Sequence, residues 1–185
     1  FTQKNKHLSA RISIGASAIA FVISVYLFAM IPDVANGVGA IPYHWITLPG
    51  FQVDIGLRLD ALSKMMLLVV TGVGTAIHVF SYSYMHDDRC FSRFFSHLSL
   101  FMFSMLGIVL ADNLLMMFIF WELVGVSSYL LIGFWYEKPS AGDAAKKAFL
   151  TNRIGDFGFI LGILMVWAAC KTLNFADIEG KLTAN

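Results

Sequence analysis

Charge is scarce in this 185-residue sequence: Asp, Glu, Lys and Arg supply 14% of it and hydrophobic residues 58%, where soluble domains carry about a quarter charged and half apolar. That balance excludes an ordinary soluble domain and marks an integral membrane chain, as does a mean hydropathy of +0.72. Cysteine is nearly absent, and Cys90 and Cys170 lie in unrelated contexts, so the segment alone cannot build an iron-sulfur cluster or a cysteine zinc site. Neither a Gly-x-Gly-x-x-Gly turn nor a P-loop occurs, which excludes nucleotide chemistry here. An initiator Met and a signal-peptide pattern are also missing from Phe1-Thr-Gln-Lys-Asn-Lys-His7, and we expect an internal piece of a longer protein.

What the sequence has instead is long apolar runs. A polar start over 1–11 precedes a span at 12–31, closed by Pro32-Asp33; at about 1.5 Å per residue such a run crosses a hydrocarbon core of ~30 Å. An outer loop over 32–59 changes period to two: Phe51, Val53, Ile55, Leu57 and Leu59 alternate with Gln52, Asp54, Gly56 and Arg58 after Leu48-Pro49-Gly50. With His44-Trp45-Ile46-Thr47 as partner strand this reads as a small hairpin on the membrane surface, since open strand edges cannot sit in lipid. Asp60 offers an N-cap for a second span at 60–84. An inner loop at 85–93, a third span at 94–111, a fourth at 114–136, an inner loop at 137–147, a fifth span at 148–169 and a polar tail at 170–185 follow. The fold class is therefore an all-α polytopic membrane protein with about five transmembrane helices and a surface β-hairpin.

Lys4, Lys6, Arg11, Arg89, Arg93, Lys138, Lys146 and Lys147 fall on one side, and Arg58, Lys64, Lys171 and Lys181 on the other. Eight against four makes the first side cytoplasmic or matrix-facing. Cys90 and Cys170 then lie about a bilayer apart, and no disulfide is expected. Lys64 is expected to snorkel.

The informative residues are the ionisable ones at membrane depth. Glu122 lies well inside the fourth span, where an acid costs about 2.5 to 3.5 kcal/mol on insertion scales. Gly125, Val126 and Tyr129 share its face, with Ser127 and Ser128 close by, a small and polar seam open to another helix or to water. A neutral acid bonded across helices for packing is the alternative to a functional one. Arg153 and Asp156 are three apart in the fifth span and can neutralise each other as a locked pair. Lys146 and Phe149 continue their stripe toward the inner surface, as a half-channel requires. Gly158 and Gly162 would permit close helix approach. His78 and His97 fit either a proton relay or neutral hydrogen bonding between helices.

The run Phe120-Trp-Glu-Leu-Val-Gly-Val-Ser-Ser-Tyr-Leu-Leu-Ile-Gly-Phe134, with Lys147-Ala-Phe-Leu-Thr-Asn-Arg-Ile-Gly-Asp-Phe157 and Ala111-Asp-Asn-Leu-Leu115, resembles the large antiporter-like subunit of respiratory complex I. The resemblance covers nearly the whole chain, including Leu59-Asp60-Ala61-Leu62-Ser63, where many members have Pro in place of Ala61. It implies part of a larger antiporter-like bundle that moves protons through buried charges, driven by redox chemistry in partner subunits. The same fold in a multisubunit cation/proton antiporter is the alternative, and a plain membrane anchor is a third reading. Glu122 matches the mid-membrane acid that pairs with a lysine on a later helix, beyond this sequence; Asp156, Arg153 and Lys147 also fall on matching positions. The implied partners are other membrane-arm subunits and the lipid bilayer, with no nucleic acid. NAD, flavin, Fe-S clusters and quinone are implied in those partners and no cofactor in this chain. The implied location is a bacterial cytoplasmic or mitochondrial inner membrane.

Overall fold

A computed structural model describes residues 6–31, 38–39, 43–48 and 51–183. The helices are α1 (Lys6–Met30), α2 (Ala61–Tyr84), α3 (Phe91–Val109), α4 (Leu114–Ile132), α5 (Pro139–Cys170) and α6 (Phe175–Thr183), and the strands are β1 (Val38–Gly39), β2 (Tyr43–Leu48), β3 (Phe51–Ile55) and β4 (Arg58–Leu59). Helices α1 to α5 are each long and apolar enough to cross a membrane. They pack in chain order, α1 on α2 and α3, α2 on α3, α3 on α4 and α4 on α5, and from α2 onward the links between them are short.

Several boundaries differ from the hydropathy reading. α1 starts six residues before the expected span at 12–31, and α3 three before that at 94–111. α5 starts nine residues before the expected span at 148–169, so most of the inner loop foreseen at 137–147 is helix. Hydropathy marks only the apolar stretch, whereas a helix continues into the polar layer once Pro139 has set its first turn. α4 instead stops at Ile132 rather than at 136. There Phe134 turns inward at 4% exposure, its carbonyl accepts from Arg93 Nη2 at 3.1 Å, and the Trp135 indole donates to Asp88 Oδ2 at 3.0 Å. A Cβ at Gly133 would come within 3.1 Å of Ala145 Cβ, so glycine lets α4 and α5 close on each other at this turn. Met85, Phe91, Phe95 and Phe134 gather with Ala10 into the buried apolar cluster at the same end.

The opposite end is stapled by strands. β2 and β3 form the antiparallel hairpin, with a register shift between His44 and Ile46, while β4 leaves β3 after Ile55 and pairs with β1. The expected strand at 51–59 is thus two strands broken at Gly56-Leu57. The Pro49-Gly50 turn lies outside the described residues. Asn113, 1% exposed, accepts from Met116 N at 2.8 Å as the cap of α4 and donates to the Asp54 carbonyl at 2.7 Å. Arg58 N donates to Leu110 O and Leu114 N to Leu173 O, each at 3.0 Å. The α3–α4 link is therefore gripped between the outer loop and the segment entering α6, which fixes the depth of α4.

Asp60 caps α2, its Oδ1 accepting from Ser63 N at 2.8 Å. Burial works against the Asp60 charge, but hydrogen bonds from Ser63 and the Arg58 guanidinium beside it hold the carboxyl below its ordinary value. Burial pushes the Asp112 carboxyl up, and the Asp54 charge adds to this, against hydrogen bonds from Asn113 and the backbone. Lys64 does not snorkel into water: at 4% exposure its ammonium donates to Ile31 O at 2.8 Å, just past the carboxyl end of α1.

Candidate functional site

α4 and α5 run antiparallel, so residues equally far from their connection lie at equal depth. The register of the two helices is set where Gly133 closes on Ala145 and where the Tyr129 ring meets that of Phe149. The structure accordingly brings Glu122 and Arg153 together: Arg153 Nη1 pairs with Glu122 Oε2. The same nitrogen stands 3.7 Å from Asp156 Oδ2, one turn along α5. Glu122 therefore has a cation within this chain, where the sequence alone left its partner to a later helix. Arg153 also corrects the picture of a private pair with Asp156, because one guanidinium serves carboxylates on two helices.

Three further side chains complete the arrangement. Trp121 Nε1 donates to Asp156 Oδ1 at 3.0 Å, tying α4 to α5 a second time and holding the Asp156 carboxylate, 6% exposed. The Arg153 guanidinium lies over the Phe149 ring, 4.6 Å from its centroid, a cation–π contact. On the other flank Phe159 meets both Phe118 and Trp121 edge-on, with centroids 5.6 and 5.7 Å apart. The charges are thus set between two aromatic layers. Sequence reasoning singled out neither Trp121 nor any contact of Phe149 with Arg153; the available signal was the position of Trp121 beside the acid and of Phe149 four residues before the cation.

The remaining candidates fall elsewhere. Lys147 is exposed on α5, and its carbonyl accepts from the Thr151 hydroxyl at 2.9 Å. Six residues before Arg153, it lies off the face that carries the site. His78, 2% exposed, shares a hydrogen bond from Nδ1 with Gly74 O at 2.7 Å and rests against Phe95, within the α2–α3 packing. His97 meets Phe134 edge-on at 6.2 Å and lines a cavity of about 610 Å³ with Arg93, Tyr129, Ala145 and Lys146. Gly155, Gly158 and Gly162 have no atom within 4 Å of where a Cβ would stand, so this stripe mediates no helix packing among the described residues.

Chemically, two carboxylates and one guanidinium sum to a charge of −1, so one proton makes the group neutral. Arg153 Nη1 lies within ion-pair reach of both acids, so a small movement of one side chain would shift the balance of charge between them. At an effective dielectric near 20, a unit pair at 4 Å is worth about 4 kcal/mol, enough to make such a move decisive.

Residues 45–95 match a family model described as NADH-Ubiquinone oxidoreductase (complex I), chain 5 N-terminus, and residues 111–184 one described as NADH:quinone oxidoreductase/Mrp antiporter, TM. A chloroplast NAD(P)H-quinone oxidoreductase subunit 5 from Nephroselmis olivacea is 41% identical over 183 residues, 98% of this chain and 28% of that protein. The NADH-quinone oxidoreductase subunit L of Mycobacterium tuberculosis is 48% identical over 136 residues, 74% of this chain and 22% of that protein. The chain thus spans about a quarter of the length of these relatives. In the solved structure of the membrane-bound sulfane sulfur reductase, an archaeal respiratory membrane complex, one chain shares the fold with a TM-score of 0.77 at 18% identity, covering 96% of this chain and 36% of that one. On these matches, and with five apolar helices carrying a charged group on α4 and α5, the chain belongs to the chain 5, or subunit L, family of membrane subunits of NADH:quinone oxidoreductase.

Proposed function

We propose that the chain is part of a proton-translocating membrane-arm subunit of NADH:quinone oxidoreductase, with Glu122, Arg153 and Asp156 as its proton-handling group. The observation that carries this is one guanidinium between two carboxylates of neighbouring spans, a group that a single proton neutralises. Movement of Arg153 from Glu122 toward Asp156 leaves Glu122 free to take a proton; return of Arg153 to Glu122 restores the pair and drives the proton on. Trp121 keeps Asp156 in place, so the cation moves rather than the acid.

The chain itself performs no redox step in this reading. NAD, flavin, Fe-S clusters and quinone belong to partner subunits, and the other membrane-arm subunits transmit the work. The membrane is an energy-transducing one, of the bacterial cytoplasmic or organellar kind. Lys147 is exposed on α5, apart from the ion group. A second reading, the large subunit of a cation/proton antiporter, is favoured by the inclusion of Mrp antiporters in the description of the model matched by residues 111–184. Electron transfer separates the two: only in the first does NADH oxidation drive acidification. Glu122→Gln in the assembled complex should lower NADH-driven proton pumping at least severalfold with assembly intact. Pumping at the wild-type rate would sink the proposal.

A further inference from the structure

Helix geometry lines up a route from the Lys/Arg-rich side to the ion group. On α5, Ala145, Phe149 and Arg153 follow at intervals of four, and on α4, Tyr129, Gly125 and Glu122 follow at four and three, so each set faces one way over about 10 to 12 Å of rise. Ala145 and Tyr129 line the cavity of about 610 Å³ at the lower end, whose walls also carry Arg93, His97, Asp143 and Lys146. At the upper end stand Glu122 and Arg153. Between them the Tyr129 and Phe149 rings meet with centroids 5.5 Å apart. Above that contact Gly125 is buried, yet a methyl group placed on it would meet no atom within 4 Å. A cavity whose walls carry Arg93, His97, Asp143 and Lys146, an aromatic pair and open space at Gly125 thus succeed one another below the acid.

We propose that Phe149, with Tyr129, is an aromatic gate that separates this cavity, a hydrated vestibule for protons, from Glu122. The inference rests on the proton-handling reading above and adds where the proton comes from. Arg153 is the latch. While it is paired with Glu122 its guanidinium rests on the Phe149 ring. When Arg153 swings to Asp156 it leaves that ring, and Phe149 is free to rotate and admit water through the open space at Gly125. In the step a hydronium in the vestibule loses one O–H bond and is left as water, while the proton forms an O–H bond on a Glu122 carboxylate oxygen; no other covalent bond changes. Gly125 is the passage residue in this proposal, since a side chain there would occupy the open space beside its Cα.

The test measures access and pumping separately, in the assembled complex. Cys90 and Cys170 are replaced by Ser, Gly125→Cys is introduced, and its modification by a membrane-impermeant trimethylammonium methanethiosulfonate is followed from each side. Phe149→Ala should raise the labelling rate about tenfold from the Lys/Arg-rich side alone, the scale expected for losing ring packing and the cation–π contact. With Gly125 intact, Phe149→Ala should also lower the protons pumped per NADH, because a gate that stands open lets protons slip back. Phe149→Val gives the same comparison if the alanine variant does not assemble. Gly125→Val should lower pumping by blocking the passage. Equal labelling rates with and without the ring overturn the gate, and so does faster labelling with unchanged protons per NADH. Wild-type pumping by Glu122→Gln would instead overturn the proton-handling reading while leaving the labelling result to stand on its own.

Discussion

Removing the shared cation is the sharpest perturbation of the ion group. Arg153→Gln leaves the Glu122 and Asp156 carboxylates without it, Asp156 at 6% exposure. Stranding one member of a buried pair costs about 3 to 5 kcal/mol. The Arg153 and Glu122 side chains are 34% and 23% exposed, which puts the expected cost at the lower end, about 3 kcal/mol. Neutralising Glu122 first removes most of that penalty, so Glu122→Gln with Arg153→Gln should lose less than the sum of the single changes. The expected coupling is about 1 to 3 kcal/mol. Asp156 stands farther off at 3.7 Å and keeps its bond from Trp121, so its coupling to Arg153 should be smaller, below about 1 kcal/mol. Equilibrium unfolding of the chain in mixed micelles with rising SDS, run on all four proteins of each cycle, supplies the energies. An additive Glu122–Arg153 cycle refutes the reasoning, and so does a stronger coupling for Asp156.

Other consequences concern the outer end and the indole. Asn113→Ala should cost about 2 to 3 kcal/mol in the same assay, since it removes the cap of α4 and leaves the buried Asp54 carbonyl without its Asn113 donor. Asp60→Ala should cost about 1 kcal/mol as a lost cap. The Asp60 contribution should be present at neutral pH and disappear as pH falls below the ordinary value of 3.8, because its carboxyl is depressed in the fold. Asp112 has the opposite sign: its carboxyl is raised, so wild type should lose stability relative to Asp112→Asn as pH climbs through and above 3.8. Trp121→Phe keeps the aromatic contact with Phe159 but not the donor to Asp156, and should lower NADH-driven pumping without loss of assembly.

The apolar runs made the five spans legible, because burying hydrocarbon in lipid dominates every other term for such segments. The polar first turns of α5 were not legible, since hydropathy registers the lipid core and Glu137-Lys-Pro-Ser-Ala-Gly-Asp lies outside it; Pro139 at the helix start was the usable sign. Glu122, Arg153 and Asp156 stood out because charge at that depth demands a reason. Their mutual arrangement did not, because it depends on the register of α4 against α5, set by the turn at Gly133 to Lys138 and by close packing at Gly133. Lys64 misled for a related reason: a lysine near a helix end snorkels by default, but here an α1 carbonyl stands within reach of its ammonium. The split of the outer strand at Gly56 depended on β1, whose pairing with β4 leaves almost no pattern in a two-residue strand.

The central claim is that protons pass through Glu122 under the control of Arg153. Its most direct measurement is the number of protons released per NADH oxidised by the reconstituted, fully assembled complex carrying Glu122→Gln, beside wild type and Glu122→Asp. The expected ratio is lowered by Gln and largely kept by Asp, which retains the charge one methylene shorter. A ratio identical to wild type in the Gln variant would contradict it.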